Sequence, residues 1–386
     1  MARPARLLTN RDIDNARDAL ARSVDCADDA GCVVGFDGFV DSIIDAVASR
    51  RAPGPDGYQR MSSLRDFAQR VDAAAGRSAN IELVVKQTRV GGNGPILAGA
   101  LAALGAGVHC IGALDHPVFD TLSDACDSTV SLGPPGATDA LEFDDGKLML
   151  GKAAAMDRIT WSRIVEASAG LDALIARCNA ARVIAPCGWT MIPAMNDIWT
   201  HLADDVLPAL DRSRDRVLFV DFSDPAKRPG RDLRDAVELL RRVNERTPVT
   251  IGLNLAEALR IGALVGAPGP AGPDSVDPDS VAALAQTLRD AVGVDRIVVH
   301  HHRAAALDDQ TGSFTAPTAF TPTPLTSTGA GDHCNAGLCY ALAVGLGAPA
   351  ALACAVATSG LFVRTGQHPT LESVIGFLDQ IPLPGS

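Results

Sequence analysis

Between residues 181 and 300 short apolar runs alternate with helical stretches, and this alternation restricts the chain more than any other feature. Strands are predicted at 181–185, 217–221, 249–253 and 296–300, and helices at 193–210, 233–246, 255–264 and 279–292. Short apolar strands separated by helices pair in parallel and are buried on both faces, so helices must cover both sides of one sheet. The expected class is α/β, a three-layer α/β/α sandwich with a central, mostly parallel sheet. The Pro/Gly-rich stretch 266–278 is too short for an inter-domain linker and reads as a surface loop. Residues 1–386 therefore read as one domain without internal repeats.

Composition narrows the function classes. A net charge of −12 excludes a general nucleic-acid binder, which needs a basic face, but leaves room for a small anion held by local amides. The nine cysteines include no Cys-x-x-Cys pair, as expected of reduced, buried thiols in a cytoplasmic protein. Met1-Ala-Arg-Pro-Ala-Arg runs into a charged predicted helix at 11–24 rather than an apolar signal core. No apolar run has the length of a membrane span, so no membrane partner is expected.

In the N-terminal half, the predicted strand 31–36 leads directly into Asp37-Gly38-Phe39-Val40-Asp41. Asp37 before Gly38 suits a turn, whereas Asp41 interrupts an apolar strand. Residues 46–61 are polar and loop-like, a helix is predicted at 62–75 and a strand at 81–90. Gly91-Gly92-Asn93-Gly94-Pro95 then opens a helix at 96–104, a place where a ligand can approach the backbone closely. A strand at 108–113 precedes a hairpin of 138–143 and 147–150, turned by Asp144-Asp145-Gly146.

The chemistry concentrates at Thr326-Ser327-Thr328-Gly329-Ala330-Gly331-Asp332, which runs into a small-residue helix ending near Gly345. Amides at a helix start lack intrahelical partners and point outward as donors for an anion. An acid there repels phosphate, but is well placed to take a proton from a nucleophile attacking a phosphorus held by those amides. As four residues alone, Gly-Ala-Gly-Asp would be no more than a turn with an Asp cap. Asn254 and Glu257, three apart after a strand, suit a capping box. Asp221, Asp224, Lys227 and Arg228 follow another strand as possible ligand contacts or a solvated turn. His300-His301-His302 lacks a carboxylate or Cys at ligand spacing, which disfavours zinc. Walker, dinucleotide and serine-elbow motifs are absent.

Thr-Gly-Ala-Gly-Asp before a small-residue helix near the C-terminus resembles the signature of the ribokinase-type (PfkB) carbohydrate kinases. Gly-Gly at 91–92 and Asn-x-x-Glu at 254–257 stand in the order that resemblance requires, across nearly the whole chain. The resemblance implies an ATP-dependent kinase acting on an alcohol of a sugar-like substrate, with Asp332 as general base and Gly329, Ala330 and Gly331 receiving the phosphoryl group. It places Asp37, Asp41, Gly91, Gly92 and Asn93 on the sugar, Asn93 substituting for a family Asn that would fall on Ile96. Asn254, Glu257 and Thr328 fall on the nucleotide side, with Mg²⁺ near Glu257. It also implies a small β-lid from segments near 39–60 and 138–152, and a homodimer joined through such lids. Two departures bear on detail: Thr326 stands where relatives have an Asp associated with a monovalent cation, and a Gly-x-x-Gly turn is missing near 300. A nucleoside kinase, for which Phe39 and Tyr58 offer stacking rings, stays open, as does a phosphosugar kinase using Arg50, Arg51 and Lys152. A non-catalytic sugar-binding regulator is the reading from a different class.

Overall fold

The computed structural model describes residues 4–24, 30–267, 269 and 276–383. Cys26 and half of the 266–278 loop lie outside the described residues. In chain order the strands are β1 (Arg6–Leu7), β2 (Cys32–Phe36), β3 (Phe39–Arg50), β4 (Tyr58–Arg60), β5 (Leu83–Gly91), β6 (Val108–Gly112), β7 (Ser128–Ser131) and β8 (Gly136–Phe143). They continue as β9 (Gly146–Lys152), β10 (Val183–Pro186), β11 (Val217–Asp221), β12 (Val249–Asn254), β13 (Arg296–His300), β14 (Ala304–Asp309) and β15 (Gly312–Pro317).

Ten strands form one sheet in the order β1-β15-β14-β13-β12-β11-β10-β2-β6-β7. Pairing is parallel except where β14 runs against β13 and β15. Side-chain alternation sorts the core into two layers: Cys32 and Val34 of β2 pack on one side, Val33 on the other. The first side is covered by Asn10–Ser23, α1 (Asn93–Ala103), α3 (Ala330–Ala343) and α4 (Ala348–Thr365), and the second by helices that include α2 (Leu255–Val265) and Pro278–Val292. The fold is thus the expected three-layer sandwich. By length and composition α4 is apolar enough to cross a bilayer, yet most of it is buried against α3 in this core.

From β2 the large sheet grows one way to β6 and β7, then the other way through β10 to β13. Ligand crevices in such sheets open at that reversal, beyond the strands' C-terminal ends. Asp37, Asp221, Asn254 and His300 all sit at those ends.

A second sheet of five strands, β4-β3-β8-β9 with β5 on β3, stands over this edge. It contains the segments near 39–60 and 138–152 and adds Leu83–Gly91. The predicted loop at 46–61 is mostly strand: β3 runs on to Arg50 and β4 follows at Tyr58. Its apolar side, Ile44 and Ala46, packs with Leu141 and Phe143 in a separate small core. The predicted helix 193–210 is also broken. It is α-helical only over Met195–His201, then a wide turn and a tight one that holds Pro208, whose ring cannot donate to the ladder.

Candidate active site

The turn that opens α3 is built by glycine: Gly329 has φ 93°, a left-handed conformation that side chains resist. A Cβ there would also press on Phe362 at 3.4 Å. Ala330 N–H reaches Ser327 O at 3.3 Å, whereas the Gly329, Gly331 and Asp332 amides have no acceptor among the described residues. The anion-receiving turn therefore offers Gly329 and Gly331 freely and Ala330 only in part.

Two cavities meet at this turn. The larger, 640 Å³ and mostly apolar, is lined by Ala330 and Gly331 with Asn254, His300, His302 and Phe320. The smaller, 190 Å³, is lined by Thr328 and Asp332 with Asp37, Asp41, Asn93 and Thr138. A third, polar space of 580 Å³ shares Pro324 and Ser327 with the larger cavity and carries Arg89 and Lys147.

Asn93 organises the smaller cavity. Its Nδ2 donates to Asp332 Oδ1 at 2.8 Å, and its backbone N–H donates to Asp37 Oδ2 at 2.9 Å. Gly94 N–H donates to the other Asp37 oxygen at 2.8 Å, so Asp37 caps α1 and is almost fully buried. Burial raises the Asp37 carboxyl to about 6 despite these two bonds. Gly92, at φ 91°, has no room for a Cβ beside Asp37 and Gly38.

Asp41 lies on β3 of the second sheet, not on the first strand of the large one. Burial raises its carboxyl, opposed by a hydrogen bond from Thr138 and the charges of Arg89 and Lys147. Gly91 sits across the ladder, where a Cβ would come within 2.5 Å of the Asp41 carboxyl carbon. Lys147, which no motif singled out, donates Nζ to Thr328 Oγ1 at 2.6 Å and so ties β9 to the turn before α3. The contact spans 181 residues of sequence and leaves no local pattern.

Beside the larger cavity Asn254 and Glu257 form a complete capping box at the start of α2. Glu257 Oε2 accepts from Asn254 N–H and Oε1 from Asp224 N–H, each at 2.9 Å. Burial, and then Asp221, raise Glu257 to about 8. Ser223 and Asp224 both adopt positive φ, an uncommon strain that holds the β11 loop against Glu257. Asp221 accepts from Asn335 Nδ2 at 2.7 Å, and burial raises it too. Asp332 is pushed well above the usual carboxylate range by burial and by Asp221, Asp37 and Glu257.

Several sequence candidates fall outside the chemistry. Arg228 donates to the carbonyls of Trp189, Ile192 and Pro193 and stacks on Trp189, so it is a structural cation. Lys227 pairs with Asp224 at 3.3 Å. Arg50, Arg51 and Lys152 are engaged by Glu82, Gln59 and Asp139 on their own sheet. Tyr58 donates to Asp45 at 2.8 Å, away from the cavity that Phe39 lines. His301 and His302, by contrast, line the larger cavity with their rings packed together at 3.8 Å, and no group of three metal-ligating side chains converges among the described residues.

Comparison with known proteins gives one consistent result. A family model described as prokaryotic ketohexokinase matches residues 7–381. A ketohexokinase from Haloferax volcanii is 31% identical over 374 residues, 96% of this chain and 95% of the relative. Among solved structures, a carbohydrate kinase from Agrobacterium tumefaciens superposes with a TM-score of 0.61 at 19% identity, covering 92% of this chain and 98% of that one. An Arabidopsis thaliana ribokinase complexed with ribose and ATP gives 0.58 at 17% identity, covering 90% and 98%.

Proposed function

The chain belongs to the prokaryotic ketohexokinase family and is a carbohydrate kinase, and on that premise we propose that it transfers the γ-phosphoryl group of ATP to an alcohol of a ketohexose. One observation carries the reading: the Thr328–Asp332 turn forms a wall between two cavities, with Ala330 and Gly331 lining the larger and Thr328 and the acid Asp332 lining the smaller. A sugar in the smaller cavity and a triphosphate in the larger would meet across that wall.

The steps follow from the side chains. Asp41 accepts hydrogen bonds from sugar hydroxyls, and Asn93 aims the Asp332 carboxylate at the reacting one. Asp332 takes the proton as that oxygen bonds to the γ-phosphorus; the bond from phosphorus to the bridging oxygen breaks, and ADP leaves. The free amides of Gly329 and Gly331 stabilise charge on the transferring group, a term that removal of one donor shows to be worth about 10²–10³ in rate. Lys147, held on Thr328, adds a fixed cation beside it.

Mg²⁺ fits the site, because beyond burial the charge of Asp221 raises the proton affinity of Asp37, Glu257 and Asp332, Asp37 and Glu257 add to that at Asp332, and a cation relieves this repulsion. Glu257 and Asp221 would hold it through water, and it would supply neutralisation of the triphosphate. Both Glu257 oxygens already accept backbone amides, which suits an outer role.

The second sheet is read as a lid over the sugar, and its apolar outer face as the contact of a homodimer. A phosphorylated ketohexose is the second reading, favoured by Arg89, which faces the polar cavity without an ion-pair partner among the described residues. The test is ATP-dependent phosphorylation of a panel holding ketohexoses, aldohexoses, pentoses, nucleosides and a phosphorylated ketohexose. Turnover on the ketohexose is expected. Preference for the phosphorylated sugar would move the assignment to the second reading, and turnover confined to nucleosides would overturn both.

A further inference from the structure

His333 follows Asp332 directly and plays no part in the mechanism above, yet its ring is almost fully buried behind the catalytic turn. Its Nδ1 lies 2.7 Å from the Gly329 carbonyl, which also accepts the backbone N–H of His333 at 3.0 Å. A carbonyl oxygen only accepts, so Nδ1 carries the proton and Nε2 is left an acceptor. His368 Nδ1 stands 2.9 Å from that Nε2 and must be the donor there. The His333 ring also lies flat on Phe362, with ring centres 3.5 Å apart and planes 11° apart. The left-handed Gly329 is thus held from behind by a side chain whose tautomer a second histidine fixes.

From this geometry we infer that His333 is a positioning residue for phosphoryl transfer, its Nδ1–H setting the orientation of the Gly329–Gly331 turn, with His368 locking the tautomer. The Gly329 carbonyl shares its planar peptide with the Ala330 N–H, so rotating that peptide re-aims the donors of the turn. Burial pushes His333 down to about 3, which keeps the ring neutral and the arrangement intact at neutral pH. The inference rests on the kinase reading for its effect on rate, but not for the hydrogen bond itself.

Two measurements test it. Asparagine mimics Nδ1–H of histidine, glutamine mimics Nε2–H, and leucine mimics neither. His333→Leu and His333→Gln should lower kcat by about 10-fold or more with the sugar KM little changed, since misplacement by an ångström costs up to about 10². His333→Asn should restore most of that loss, and His368→Leu should slow the wild type but not the His333→Asn variant. Equal kcat for the Asn and Leu variants, each folded by its melting curve, would overturn the inference while leaving the kinase reading untouched. Long-range ¹⁵N–¹H spectra of the histidines at pH 7 provide the second measurement, assigned with His333→Asn. An Nδ1–H tautomer at His333 is expected, and an Nε2–H tautomer overturns the inference even if no sugar is ever turned over.

Discussion

At the scale of single residues, the active site is a set of acids with different tasks, and their surroundings separate them. Asp37 is spent on capping α1 and Glu257 on two backbone amides, whereas Asp332 has one oxygen engaged by Asn93 and the other left for the hydroxyl of the proposed reaction. Asp332→Asn preserves shape but cannot take the proton; turnover should fall by about 10²–10⁴ while both ligands still bind by calorimetry. Near wild-type turnover would reduce Asp332 to a helix residue. Because its carboxyl is raised, kcat/KM should lose activity on acidification at a pH above the usual carboxylate range, and Asp332→Asn should abolish that limb of the profile. Asp41 gives a second residue-scale expectation. Gly91→Ala pushes a methyl into the Asp41 carboxylate, so it should raise the sugar KM as Asp41→Ala does, with the ATP KM unmoved. Sugar kinetics unchanged in both variants would make Asp41 structural.

At the scale of elements, what could be read in advance was what local pattern encodes. The parallel strands were legible because apolar runs such as Val33-Val34 and Ile297-Val298-Val299 have few other uses. β3 was not, since Asp45, Ser49 and Arg50 interrupt its apolar run and its partners come from distant segments. The β14–β15 hairpin hides behind Ala304-Ala305-Ala306, weak strand formers that tertiary pairing overrides. The Asn93–Asp332 bond joins residues 239 apart, so the motif named both ends but nothing local joined them. At 254–257 the capping box is present, and stability can separate it from the proposed metal role. Glu257 is raised to about 8 in the fold from an ordinary 4.5, so the folded state holds a proton that the unfolded chain releases. Stability of the ligand-free enzyme should therefore fall as pH rises through that window. Glu257→Gln should flatten the decline, and should cost roughly 1 kcal/mol at low pH because one amide loses its acceptor. It should also shift activity to higher Mg²⁺. An unchanged Mg²⁺ titration with a lower melting temperature would leave Glu257 as a cap alone.

At the scale of the whole molecule, the second sheet is the part with an unresolved surface. Register fixes its two faces: Asp41, opposite Arg89 and Thr138, looks toward the cavities, while Ile44, opposite Val85 and Leu141, looks away. Leu83 pairs with Ala46 and Leu150 with Asp139, which places both on the outward face with Val85. That face is half covered by the small core around Ile44 and Phe143, and then runs out into Leu83, Val85 and Leu150, exposed by 42%, 55% and 44%. Large apolar side chains exposed on one face at both outer strands of a thin sheet, β5 and β9, are poorly tolerated in water, and a second copy presenting the same face would cover them symmetrically. Sedimentation at micromolar concentration should therefore show a dimer, and Val85→Asp, which buries two like charges across a two-fold axis, should give a folded monomer. Asp41 stands on β3, which pairs directly with β5 of this contact. Loosening the sheet should then raise the sugar KM more than it lowers kcat, because α3 and its turn are carried by the large domain. A monomeric wild type would remove the dimer and leave the outward face to another partner. A monomeric Val85→Asp variant with unaltered sugar kinetics would show that the lid holds its shape unaided.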